Sequence, residues 1–157
     1  MKRSVLGAAI LSLCATLPIT VNADQAQIDR GRYLVRTSGC NDCHTAGYMP
    51  SEGTVPEEQW LMGDTLGWQG PWGTTYAINL RRFASQLDED QWVSTVTTAK
   101  ARPSMPWWVL HEMDERDVRA IHAFIRSLPV AGEEAPAALE PGVVPKTAYF
   151  QMVVPSE

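Results

Sequence analysis

Residues 38–50 read SGCNDCHTAGYMP. Cys40 and Cys43 are separated by two residues, and His44 follows the second cysteine directly. Three chemistries use such a run: a redox dithiol, half of a zinc site, or a point of covalent attachment for a haem. Each demands different surroundings, so the choice among them decides what fold to expect from the rest of the chain.

The start of the chain bears on that choice. Met1, Lys2 and Arg3 form a short basic beginning, and an apolar run from Val5 to Leu17 ends at Pro18. Val21-Asn22-Ala23 then places compact residues where a signal peptidase reads. The run is too short to cross a bilayer comfortably. Residues 1–23 are therefore read as a signal peptide, with export to the periplasm and no membrane span after cleavage. Cys14 leaves with that segment; Leu13 before it does not suit a lipoprotein site.

Cleavage after Ala23 takes 23 of 157 residues and leaves 134, enough for one domain with one core. Loss of Lys2 and Arg3 moves the formal charge from −5 to −7. An acidic chain has little with which to neutralise phosphate, so no nucleic-acid partner is expected. The same charge suits a basic docking surface on a protein partner.

The mature chain then holds Cys40 and Cys43 alone, too close together to staple distant segments. A structural zinc requires four ligands, and the other histidines, His111 and His122, are isolated. A thioredoxin-like dithiol expects a strand before it and a helix after it, whereas here a helical pattern precedes and irregular sequence follows. Haem attachment accounts for all three residues. The two thiols add across the two porphyrin vinyl groups, and the adjacent histidine reaches the iron as an axial ligand. Such attachment takes place outside the cytoplasm, in keeping with the leader.

Methionine is the second ligand that gives a stable, high-potential carrier. Met49, Met62, Met105, Met113 and Met152 follow the motif. Met49 is too near His44 to reach the opposite face, Met113 begins the last helix, and Met152 lies in the tail. Met105 sits in RPSMPWW, where Pro103 and Pro106 stiffen an extended loop, and it is the expected distal ligand, with Met62 next. The acceptor for the other ring nitrogen of His44 is expected among the carbonyls of residues 50–56. Trp72, Tyr76, Asn79, Arg81, Arg82 and Trp92 are candidate donors to the haem propionates, and His122 is expected at the edge of the core.

The periodicity predicts a helix opening near Asp24 and ending at Gly39, and a second capped by Asp88. A proline-bracketed loop with a short helical turn follows, then a strong helix capped by Asp114 and ended by Pro129. Residues 48–82 carry no sustained period, as expected of a loop wrapped around something large. Residues 131–157 read as a proline-rich tail extended on the surface. Gly31 is expected to admit a bulky ring of the last helix, Phe124, against its backbone.

In GRYLVRTSGCNDCH, PWGTTYAINL, PSMPWW and DERDVRAIHAFIRSLP, taken in that order, the chain resembles the class I c-type cytochromes. It is most similar to small bacterial monohaem types, including modules associated with dehydrogenases. The likeness spans roughly residues 26–130, inside a cytochrome domain drawn at 24–130. It implies an all-α fold of few short helices and long loops around one haem c, with the terminal helices crossing. It further implies thioethers at Cys40 and Cys43, and His44 and Met105 on the iron. The expected function is that of a one-electron carrier, not an enzyme, serving a redox partner such as a periplasmic dehydrogenase or terminal oxidase. Two alternatives are an electron-entry subunit of a dehydrogenase complex and a haem enzyme or gas sensor with a labile distal ligand.

Overall fold

The computed structural model describes residues 23–153. Residues 1–22, Cys14 among them, lie outside the described residues, and so does the expected signal peptide but for Ala23; residues 154–157 lie outside them too. The elements run α1 (Ala23–Thr37), α2 (Cys40–His44), a 3-10 turn (Glu57–Gln59), β1 (Gly67–Gly70), β2 (Gly73–Tyr76), α3 (Leu80–Ser85), α4 (Glu89–Thr98), α5 (Trp107–His111), α6 (Glu115–Ser127) and β3 (Tyr149–Gln151). No helix among the described residues is long and apolar enough to cross a membrane.

Local signals start and stop the helices. Gly39 takes φ 74°, the left-handed geometry that separates α1 from α2 and suits a residue without Cβ. Asp88 and Gln91 form a reciprocal capping box at the start of α4. The Asp114 carboxylate accepts from the Arg116 amide at the start of α6, so both caps fall where the sequence puts them.

The frame is α1 packed on α6. Val35, Phe124, Ile125, Val118 and Leu61 are almost wholly buried there, with Trp60 edge-on to the Phe124 ring. A Cβ on Gly31 would come within 1.9 Å of the Ala120 carbonyl oxygen and 2.7 Å of Phe124 Cβ. The helices therefore meet backbone to backbone, closer than the ring contact expected from the sequence. Arg30 spans the outer side of this seam with a two-bond fork to Asp117, at 2.9 and 2.8 Å. Being exposed to solvent, that pair contributes little to stability.

The expectation of an all-α fold is overturned, because the described chain is mixed α/β. A three-stranded sheet of order β2-β1-β3 stands beside the helices. β1 and β2 form an antiparallel hairpin with Gly67 opposite Tyr76 and Gly70 opposite Gly73. Pro71 and Gly73 in its connection fit the second and fourth positions of a type I turn, and Thr74, Thr75 and Tyr76 are strand formers. β3 comes from the segment read as a loose tail and lies parallel to β1, with Trp68 opposite Phe150 and their rings 5.1 Å apart. Upstream, Leu139 bridges Thr74 with two backbone hydrogen bonds of 2.9 and 3.0 Å.

Gly31→Ala is expected to destabilise the fold by about 1–3 kcal/mol, the usual cost of overpacking. A fall in the denaturant midpoint at unchanged slope is the check, and an unchanged midpoint would mean that the helices do not meet at this glycine.

Candidate functional site

A cleft of about 360 Å³ opens between α2, the hairpin, α4, the α4–α5 loop and α6. Its size is typical of small-molecule and cofactor sites. Val35, Phe83, Trp92, Val96, Ile121 and Ile125 supply apolar walls.

Cys40, Cys43, His44 and Met105 all line this cleft. The three motif residues arrive together on α2. Met105 arrives from the loop before α5 and is half-buried. Five residues cannot hold a helix unaided, and α2 is pinned from outside. The Gly63 amide donates to the His44 carbonyl at 2.8 Å, and the Leu61 amide donates to the Thr45 hydroxyl at 2.8 Å. That hydroxyl donates in turn to the Asn41 side-chain oxygen at 2.8 Å.

His44 Nδ1 lies 2.8 Å from the Ile78 carbonyl oxygen. A carbonyl only accepts, so Nδ1 carries the hydrogen and Nε2 keeps its lone pair. Burial holds the ring below its ordinary pKa, partly opposed by the Ile78 bond. His44 is therefore a neutral, oriented Lewis base. Its acceptor is Ile78, not one of the carbonyls of residues 50–56 expected from the sequence.

Cys40 and Cys43 are free thiols. Burial pushes Cys40 up to about 11, and the Asp42 and Cys43 charges add to the rise. Cys43 is raised by burial, then by Asp42 and Asp64. A redox dithiol or a zinc site calls for the opposite shift, toward thiolate. Among the described residues no group of three or more His, Cys, Asp or Glu side chains is arranged to hold a metal ion.

The other sequence-read residues divide clearly. Met62 lies against Gly132, away from the cleft, and Met49 and Met152 are exposed. Met113 does line the cleft, a place not expected from its position at the start of the last helix. His111 Nε2 bonds to the Ala99 carbonyl at 2.9 Å. His122 is buried, not at the edge of the core, with its ring 5.4 Å from Trp92 and Nε2 without a partner.

Among the proposed propionate donors, Arg81 is buried and donates to the carbonyls of Trp60, Pro129, Glu57 and Glu58. Asn79 caps α3 and donates to Ala131 and Glu133, while Arg82 donates to Gly132. The Trp72 indole N–H is directed to the Trp68 carbonyl at 3.3 Å, and Trp72 does not line the cleft. Tyr76 and Trp92 do line it, although the Trp92 N–H is taken by the Val118 carbonyl. Arg102, which the sequence reading passed over, is the guanidinium on the cleft lining.

This donor set suits a haem. Two thiols stand beside a neutral imidazole, a thioether lies on the same cleft, the walls are apolar, and the one guanidinium on the lining, Arg102, is paired with Glu140. Comparison with protein-family models, with curated proteins and with solved structures returned no match.

With a pKa of about 11, roughly a thousandth of Cys40 is thiolate at pH 8. In the chain with free thiols, iodoacetamide should modify Cys40 slowly at pH 8 and about tenfold faster per pH unit until about pH 11. Asp42→Asn removes a charge that raises both thiols and should speed both reactions at fixed pH. Peptide mass spectrometry follows each cysteine, and a Cys40 rate that levels off near pH 8 would contradict the burial seen here.

Proposed function

We propose that the chain is an exported monohaem electron carrier. The haem is joined covalently through Cys40 and Cys43, and its iron is bound by His44 Nε2 and the Met105 thioether. The observation that carries this reading is the convergence of these four side chains, from two distant parts of the sequence, on one apolar cleft.

When bound, a haem with histidine and methionine ligands supplies a high-potential one-electron couple. The residues of the chain do the rest. The Ile78 carbonyl fixes the His44 ring and raises its basicity as a ligand. Met105 offers a soft sulfur from a short segment bounded by Pro103 and Pro106, whose restricted backbone limits the entropy lost on ligation. His44 and Met105 would together hold the iron and leave it no place for a substrate, so the chain would act as a carrier, not an enzyme. The apolar walls keep water from the centre, which favours the less charged state of the couple.

Ile78 and Val109 line the cleft and are also exposed, and Trp108 beside Val109 is more exposed still. This apolar rim is the contact surface for a periplasmic redox partner, a dehydrogenase or a terminal oxidase, met briefly through a small interface.

The exported protein should carry a haem that survives denaturation, and its ferric form should show the weak far-red band of thioether-bound iron. Met105→Ala should keep the covalent haem, lose that band, lower the reduction potential and tighten imidazole binding by about a hundredfold, about 2.8 kcal/mol. Cys40→Ser with Cys43→Ser should abolish covalent attachment. Colourless exported protein with both thiols open to alkylation would refute the reading. A Met105→Ala variant with parental spectrum and potential would transfer the ligand role to Met113, the other thioether on the cleft.

A further inference from the structure

The loop that carries Met105 is weakly held by its own backbone. Between Lys100 and Pro106, the backbone–backbone hydrogen bonds among the described residues reach only the start of α5: the Met105 carbonyl accepts from Trp107, at 3.0 Å, and the Pro106 carbonyl from Val109, at 3.1 Å. Side chains tether it instead. The Thr75 hydroxyl of β2 donates to the Pro103 carbonyl. Arg102 Nη2 pairs with Glu140 at 2.9 Å. Arg102 Nη1 makes longer contacts to the carbonyls of Leu139, at 3.3 Å, and Trp72, at 3.5 Å. Each tether ends on the hairpin or on the C-terminal segment.

The C-terminal segment in turn fixes the hairpin. Leu139 exchanges two backbone hydrogen bonds with Thr74, and β3 pairs along β1. At Gly73, φ is 97°, and a Cβ would come within 2.1 Å of the Leu139 carbonyl oxygen. A side chain there would lift the tail away, so glycine at this position permits the contact.

We propose that the segment from Leu139 to Gln151 is the positioning clamp of the distal loop. Leu139 and Glu140 seat Arg102, and Thr75, on the strand they brace, seats Pro103, so that Met105 is presented to the cleft. Arg102 and Thr75 are positioning residues. Their effect on the metal rests on the haem reading above, while their effect on the loop does not.

The test uses full-length exported protein and the variants Arg102→Ala, Arg102→Lys and Thr75→Val. Two quantities are measured: imidazole binding to the ferric form, and hydrogen–deuterium exchange of the peptide spanning residues 99–108. An arginine fork joined to an exposed ion pair, or a single hydroxyl bond, is a weak tether. Imidazole affinity should therefore rise about five- to tenfold in Arg102→Ala and about two- to fivefold in Thr75→Val. The Trp107 amide, bonded to the Met105 carbonyl, should exchange faster in both, and covalent haem should be retained. Arg102→Lys keeps the charge but loses the fork and should fall between Arg102→Ala and the parent. If Arg102→Ala and Thr75→Val both stay within twofold of the parent in affinity and exchange, the clamp is wrong, even if the parent shows thioether ligation. If Arg102→Ala does not fold, Thr75→Val decides. A parent without haem or the thioether band defeats the haem reading instead, and loop exchange alone then decides the clamp.

Discussion

The bond from His44 Nδ1 to the Ile78 carbonyl ties the site together. It joins a five-residue helix, which has no stability of its own, to the segment just before α3. The amides of Leu61 and Gly63 pin the same helix from the intervening stretch. One ring orientation thus depends on a path that leaves α2, turns through residues 57–63, crosses the hairpin and returns at Ile78. Movement of that path would turn the imidazole away from the cleft and would also loosen Trp60 and Leu61, which the core buries.

The inner side of this path is held by an unusual device. Arg81 is almost wholly buried and pairs with no carboxylate among the described residues; its guanidinium is shared among four backbone carbonyls on the 57–60 segment and just after α6. Burial draws its pKa down, while Glu57 and Glu58 oppose the fall. Irregular backbone within a core leaves carbonyls that no ladder satisfies. A planar fork of donors satisfies several at once. The long loop stays ordered because a cation sits inside it, and that cation is therefore unavailable to the cleft.

Local signals were legible in the sequence and nonlocal ones were not. Asp88 and Asp114 announce their helices because a cap acts over three residues. Cys40, Cys43, His44 and Met105 could be singled out because their chemistry is unusual, and all four line one cleft. The hairpin was missed because its strands are four residues long with a glycine in each, too short for alternation to register. β3 was missed because Tyr149 pairs with Gly67 across most of the domain, and nothing in PKTAYFQ specifies that partner. Ile78 as the acceptor for His44 and Arg102 as the cation on the cleft likewise depend on contacts between residues far apart in sequence. Gly31 was legible as a close-contact site, although its nearest neighbour is the Ala120 carbonyl and not a ring.

The parallel pairing of β3 with β1 has a temporal side. The two partners lie roughly eighty residues apart in sequence, and pairings of such separation form late. Until β3 docks, the helical frame can assemble but the wall beside Arg102 has no brace. A chain caught at that stage of folding would have a wider cleft mouth than the finished fold, so one of the last pairings to form is also the one that narrows the opening.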